Sequence, residues 1–312
     1  MDRKSIAVVG WYDHGNLGDE AFKVAFKSLF PEWSFTFFDK VPINWKEFDA
    51  LFVGGGSFLD KQLDRINDVK IPTAFIGVGV ESNTHPYNIE AMKRAKIVVA
   101  RHPNPYGYHA PDLVFASNLP KYQCERDQIT VLVNNHFSPH PNCEEWKLRW
   151  WDCYAVEMAQ ALDIMIKRTG LPIHFYPMCL NPHVDDRRAA AYIIDRMVKK
   201  EATVFHCIDP SERDLVRLIA RSKVVVTQRF HGMVYSALLG TRFVGINGHQ
   251  KMSSLAKELD WKAMSPYYGF TVSSFLTAID NSHDISGVTK YCERAKATWR
   301  DMSALIRREL FG

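Results

Sequence analysis

At 312 residues the chain exceeds what one hydrophobic core comfortably organises, so two domains are expected. Its 46% apolar and 24% charged content is that of a folded protein, and a net charge of +4 spread without blocks of like charge excludes polybasic nucleic-acid and membrane-surface binding. No apolar run approaches the roughly 20 residues of a membrane span, and "MDRKSIAVVGWY" makes no signal peptide. The six cysteines form no C-x-x-C pair, which argues against a zinc ribbon or a disulfide framework. The expectation is a cytoplasmic protein with free thiols.

Strand and helix signals alternate along the chain. "SIAVVGWY" (5–12), "SFTFFD" (34–39), "ALFVGGG" (50–56), "TAFIGVGV" (73–80) and "KIVVAR" (96–101) read as strands, with helical patterns at 18–30 and 88–95. A further short strand, "LVFA", is expected before the polar stretch 118–128. A second series begins with the strand "ITVLVNN" (129–135) and a helix near 153–169 that stops at Gly170. Strand "IHFYPM", helix 185–200, strand "TVFHC" and a helix over 211–222 follow, the last opened by a capping-box pattern at Ser211 and Asp214. Strand "KVVVT" then hands over to a helix that ends at Gly240, "RFVGIN" is another strand, and 284–310 reads as one long helix. Nearly continuous apolar strands between helices predict α/β architecture with parallel sheets covered on both faces. We expect two Rossmann-like domains facing a cleft, 1–122 and 123–312, with the C-terminal helix assigned to the second domain and packing across both.

In open α/β sheets ligands lie beyond the carboxyl ends of the strands, so the segments that follow strands hold the candidate chemistry. In "GWYDHGNLGDEA", glycines and a helix start suit a hydroxyl-rich or anionic partner, although Asn16 and Asp19 also serve to make the turn and cap the helix. "VGGGSFLD" places Ser57 and Asp60 after three glycines; the spacing is wrong for a dinucleotide fingerprint, and close backbone packing explains the glycines equally well. "TQRFHGM" sets Arg229 and His231 where a strand passes into a helix. Arginine suits two-pronged binding of phosphate or carboxylate, and histidine can serve as acid or base. Set against this are an arginine in a structural ion pair and a histidine that caps the helix. His136, His140 and Cys143 are weak metal ligands, because Pro139 and Pro141 forbid a shared helical face. Asp185 and Asp186 read first as partners of a helix N-terminus.

Together these pieces resemble the polysaccharide pyruvyl transferase family. The resemblance rests on "GNLGDEA", "GGGSFLD", "DD…A…I", "SERDLVRLIARSKVVVTQRFHGMVYSALLG" and "FVGINGHQKMSSLAKELDW", in that order over most of the chain. It implies a fold like the two-domain glycosyltransferases (GT-B-like) and transfer of pyruvate from phosphoenolpyruvate to two sugar hydroxyls as a cyclic ketal. It implies a donor site of Arg229, His231, Gly232 and Lys251, with His231 as general acid/base and Arg229 and Lys251 on the anion. Asn16, Gly18, Asp19, Ser57 and Asp60 would line the acceptor side, with Asp19 as a partner base. No metal and no cofactor is expected; the partners are phosphoenolpyruvate and a glycan acceptor, whether free, lipid-linked or polymeric. The chain departs from the family after "IVVAR", where "RHPNPYGYHAPD" replaces the usual Arg-Asp-x-x-Ser and helix. The competing readings are a nucleotide-sugar glycosyltransferase on the same architecture and a catalytically silent glycan-binding protein.

Overall fold

Short blocks of β-branched and aromatic residues make the strands, and every block read as a strand before residue 102 is one in the computed structural model. The structure describes residues 3–120, 122–135, 145–207 and 209–312, without the side chains of 146 and 148. It divides into two units, Met1–Asn118 with Glu293–Gly312, and Leu119–Cys292.

The first unit runs β1 (Ser5–Val9), α1 (Leu17–Leu29), β2 (Ser34–Phe38), β3 (Ala50–Gly56), β4 (Thr73–Val78), α2 (Pro86–Arg94), β5 (Ile97–Ala100) and β6 (Tyr108–His109). All pair in parallel in the order β2-β1-β3-β4-β5-β6. The two-residue alternation of a strand sorts the core. Ala7, Val9, Leu51 and Val53 pack with Phe75, Val98 and Met92 on one face. Phe52 points the other way, 5.8 Å from the Phe26 ring and 6.0 Å from the Phe30 ring. "LVFA" is not a strand: Leu113–Ala116 is a 3-10 turn, because the Asp112 carboxylate accepts from Val114 N at 3.0 Å and closes the backbone there. The edge strand is Tyr108–His109 instead.

The second unit runs β7 (Gln128–Leu132), α3 (Glu145–Thr169), β8 (Ile173–Phe175), α4 (Asp186–Arg196), β9 (Thr203–Phe205), α5 (Glu212–Ala220), β10 (Ser222–Thr227), α6 (Phe230–Leu238), β11 (Phe243–Asn247), α7 (Gln250–Glu258), β12 (Met264–Pro266) and α8 (Val272–Asp280). Its parallel order is β12-β11-β10-β7-β8-β9. Helix α3 starts earlier than its periodicity suggested; Trp151, Tyr154, Met158, Leu162 and Met165, three or four residues apart, form its buried stripe. At α5 only half of the capping box forms. Ser211 Oγ accepts from Asp214 N, but Ser211 N donates to Tyr176 Oη at 2.8 Å rather than to Asp214.

Helix α9 (Ser286–Phe311) departs from the expected domain division. Its residues up to Cys292 group with the second unit and Glu293 onward with the first, and the other division falls at 118/119 rather than 122/123. Side chains of the helix explain the grouping. Buried Trp299 donates to Pro111 O at 3.1 Å, Arg307 pairs with Glu32 at 2.7 Å, and Phe311 meets Trp33 edge-on.

In each sheet the strands run outward in both directions from one central pair. These reversal points, β1 beside β3 and β7 beside β10, are where loops diverge and leave a crevice at the carboxyl ends.

A histidine pair at the edge of the second sheet gives the fold a pH limit. His174 Nδ1 lies 3.1 Å from His206 Nε2, and burial, then the charges of His206 and Arg221, depress the His174 pKa from 6.5 to about 4. Between those values the unfolded chain takes up a proton that the folded chain refuses. Stability present above 6.5 should therefore be lost progressively as pH falls towards 4. Melting temperature measured across that range should fall less steeply in His174→Asn than in the parent; parallel curves would show that the pair is not responsible.

Candidate active site

The turn from β10 into α6 is built by its own side chains. Thr227 Oγ1 accepts from Arg229 N and donates to Arg229 O, both at 3.0 Å, which closes the chain abruptly after the strand. Arg229 stands at the N-cap without a side-chain cap, so the first N–H groups of α6 have no intrahelical partner. Gly232 is required by packing, since a Cβ there would collide with Thr227 Oγ1 and stand 2.8 Å from Leu132 Cδ1. The helix ends in a Schellman motif: Thr241 N donates to Ser236 O and Gly240 N to Ala237 O, with Gly240 at φ 61°.

Arg229 is held by Asp186. Its Nε donates to Asp186 Oδ2 at 3.0 Å and its Nη2 to Oδ1, a two-pronged pair between a fully buried carboxylate and a guanidinium 15% exposed. The same carboxylate accepts from Asn135 N after β7 and from Met178 N and Cys179 N after β8, at 3.0–3.2 Å. Burial pushes the Asp186 carboxyl up from its ordinary value, while the Arg229 charge and these N–H bonds pull it back. Burial opposes the guanidinium charge too, but the Asp186 carboxylate outweighs it and raises the Arg229 pKa. Two of five guanidinium N–H groups are used on Asp186, and the remaining edge is positioned by them. His231 occupies the second position of α6, half-buried, edge-on to Phe230 at 5.0 Å. Lys251, on α7, has its Nζ 5.9 Å from the same Phe230 ring. Gln228 adds a buried amide: its Oε1 accepts from Asn134 N at 2.8 Å, and its Nε2 has no partner among the described residues. Asn134 and Asn135 follow β7, and Gln228, Arg229 and His231 follow β10, so the β7/β10 reversal brings them together, whereas Lys251 comes from the helix after β11.

The first unit has its own crevice at the β1/β3 reversal. A cavity of about 220 Å³ is lined by Trp11, Asp19, Ser57, Phe58, Asp60 and Lys61. The three glycines before it serve close approach. Gly55 and Gly56 lie at φ 82° and 86°, and a side chain at Gly55 would strike the Phe22 ring of α1. Asn16 is the N-cap of α1, accepting from Gly18 N at 3.1 Å and donating to Asp19 Oδ2 at 2.6 Å. Ser57 Oγ receives a bond from buried Arg101 and donates to Glu81 Oε1 at 3.1 Å. Asp112, at the end of the divergent 101–112 segment, stands 3.6 Å from Arg101. Trp11 lies stacked on His14 at 3.9 Å between centroids.

A family model for polysaccharide pyruvyl transferases matches residues 15–250. The chain belongs to the polysaccharide pyruvyl transferase family. No curated protein matches the sequence significantly. Among solved structures it is similar to a UDP-N-acetylglucosamine 2-epimerase from Rickettsia bellii, with a TM-score of 0.61 at 12% identity over 99% of this chain and 97% of that one. A putative UDP-N-acetylglucosamine 2-epimerase from Listeria monocytogenes gives 0.57 at 10% identity, over 98% and 96%. The glycotransferase of kitacinnamycin gives 0.52 at 11% identity, over 99% and 100%. At such identities the likeness is one of fold, and that fold is GT-B-like with two Rossmann-like units.

For this pyruvyl transferase the structure thus gathers Arg229, His231, Gly232 and Lys251 around one turn, and Asp19, Ser57 and Asp60 around one cavity. Asn16 and Gly18 form the start of α1 and are not part of that cavity's lining. The ion pair set against a ligand role for Arg229 is present. Residues 136–144, which include the His136, His140 and Cys143 candidates, lie outside the described residues; among the described ones no group of three such side chains could hold a metal. The sequence reading missed Asp186 as the anchor of Arg229, and Trp11 and Lys61 as cavity walls. Asp186 had a signal: with Ala189, Ala190 and Ile193 it lies on the buried stripe of α4, where a carboxylate needs a partner.

Asp185 and Asp186 make a direct comparison. Asp186→Asn leaves a buried guanidinium without its counter-charge and should cost about 3–5 kcal/mol in denaturant unfolding. Asp185→Asn keeps a competent helix cap and loses a half-exposed pair with Arg187, so about 1 kcal/mol or less is expected. Equal effects of the two changes would remove Asp186 from its anchoring role.

Proposed function

We propose that this protein transfers the pyruvyl group of phosphoenolpyruvate onto two hydroxyls of a sugar, forming a cyclic ketal. The observation that carries the reading is Arg229, fixed by buried Asp186 beside His231 at the N-terminus of α6. Phosphoenolpyruvate bears a phosphate and a carboxylate, and a pre-oriented guanidinium edge with helix N–H donors suits such a ligand. Lys251 adds a second cation near the same turn, and the Gln228 amide a further donor.

The chemistry divides among these groups. His231, protonated, gives a proton to C3 of the donor, which makes C2 electrophilic. A sugar hydroxyl forms a C2–O bond as its proton passes to a base, for which Asp19 is the candidate. The second hydroxyl then bonds to C2 as the C2–O bond to phosphate breaks; its proton passes to His231, left neutral by the first step, and the leaving phosphate takes up negative charge against Arg229 and Lys251. The sequence uses no redox step and no cofactor. The acceptor side is assigned to the Asp19, Ser57 and Asp60 cavity of the first unit.

A second reading, a nucleotide-sugar glycosyltransferase, draws on the fold shared with the epimerases and the glycotransferase. Thermal-shift titration separates the two. Phosphoenolpyruvate should raise the melting temperature and UDP-sugars should not; the opposite pattern would favour the glycosyltransferase. With neither ligand effective, the silent glycan-binding reading would gain.

Two variants test the roles. His231→Asn should fold and bind phosphoenolpyruvate nearly as the parent does, while phosphate release with an acceptor falls by roughly a hundredfold or more. Normal turnover would make His231 structural. Arg229→Lys should weaken donor affinity about ten- to a hundredfold, because a point charge cannot serve Asp186 and the donor with one planar fork. Unchanged donor affinity in a folded variant would take Arg229 out of the site.

A further inference from the structure

The cavity at the β1/β3 reversal contains a feature that the reaction above does not use. Trp11 follows β1 and is 40% exposed, unusual for so large an apolar side chain in a crevice. His14 backs the ring, stacked at 3.9 Å and 22°, and does not line the cavity. Lys61 does line it, and its Nζ stands 5.4 Å from the Trp11 ring centroid. The indole is therefore supported from behind by a second ring and presents its other face to the cavity. The same cavity is lined by Asp19, Asp60 and the half-buried Phe58.

We infer that Trp11 is the platform on which the acceptor's pyranose ring lies, and that the cavity selects an uncharged sugar ring rather than a phosphate or an acidic sugar. The negative face of an indole attracts the weakly positive C–H groups on one face of a pyranose, while carboxylates at the rim accept from its hydroxyls. Two carboxylates against one ammonium repel an anionic ligand, and about 220 Å³ accommodates a single sugar ring better than a nucleotide. The Lys61 ammonium covers the ring by a cation–π contact and must swing aside for the sugar to lie down, which its flexible stem permits. This inference rests on the pyruvyl-transfer reading only in calling the sugar an acceptor.

The test uses the full chain with Trp11→Ala, Trp11→Phe and Lys61→Ala. The probes are methyl β-galactopyranoside, methyl β-mannopyranoside and methyl β-glucuronide, read by ligand-observed saturation-transfer NMR, with acceptor and donor KM in phosphate-release assays. At least one neutral pyranoside should bind the parent, and the glucuronide should bind less well. Trp11→Ala should weaken neutral-sugar binding and raise acceptor KM by about three- to tenfold while donor KM is unmoved, and Phe should recover most of the loss. Lys61→Ala should tighten sugar binding by about two- to fivefold, since it removes the competing cation. The inference is overturned if no neutral pyranoside binds, if Trp11→Ala changes nothing, or if Lys61→Ala weakens binding, which would mean the ammonium holds the ligand. Sugar binding that depends on Trp11 without any use of phosphoenolpyruvate would overturn the proposed reaction and leave the platform standing. Ketal formation indifferent to Trp11→Ala would do the reverse.

Discussion

One buried carboxylate organises the functional end of the second unit. Asp186 receives N–H groups from the ends of two strands, begins a helix, and grips Arg229 in a two-pronged pair. A carboxylate without exposure is tolerable only when its lone pairs are filled, and here five donors fill them. The consequence is rigidity: the guanidinium cannot swing without stranding Asp186. A cation that must meet an anion at a fixed place gains from such anchoring, because its ordering is already done before the ligand arrives. The ion pair and the ligand role, opposed in the sequence reading, are therefore compatible in the structure.

The first unit reaches a comparable end by other means. Its crevice depends on glycines that bring the strand end against the aromatic side chains of α1, and on a short loop that leaves an indole at the rim. Tyr12 Oη, buried, donates to Gly54 O at 2.6 Å and ties the loop after β1 to the glycines that end β3. The two loops flanking the reversal are thus one packed object, and the positions of Trp11 and Ser57 are not independent.

The strands were legible because a parallel sheet buried on both faces writes itself as continuous apolar blocks, and Gly170 and Gly240 marked helix ends by the positive φ that each adopts. "LVFA" misled because burial alone does not distinguish a strand from a turn: Leu113, Val114 and Phe115 are fully buried, but the cap from Asp112 decided the backbone. The terminal helix was legible as a helix and not as to its allegiance, since Trp299 and Arg307 find partners, Pro111 and Glu32, nearly two hundred residues or more away in sequence. Arg229 and His231 stood out by their placement after a strand. Asp186 did not, because two adjacent aspartates at a helix start look alike in sequence, although Asp185 caps its helix and pairs with Arg187, whereas Asp186 is fully buried against Arg229. Trp11 was hidden for a related reason: an aromatic residue at the end of a strand ordinarily belongs to the core, as its neighbour Tyr12 does.

The two reversal points differ in chemistry as much as in construction. The second unit's turn presents an arginine, a histidine, a nearby lysine and the N-terminus of a helix, all of which favour negative charge. The first unit's cavity presents two carboxylates, an indole face and a single lysine, which favour hydroxyls and C–H groups. A nucleotide-sugar enzyme would need its diphosphate and its sugar to be accommodated as one molecule, with aromatic and hydrogen-bonding contacts for the base close to the cations. Pyruvyl transfer instead brings a compact dianion or trianion to one protein surface and an uncharged polyol to another. The division of charge between the two units corresponds to that division between substrates, and on this ground the proposed donor and acceptor sides are assigned to different halves of the chain.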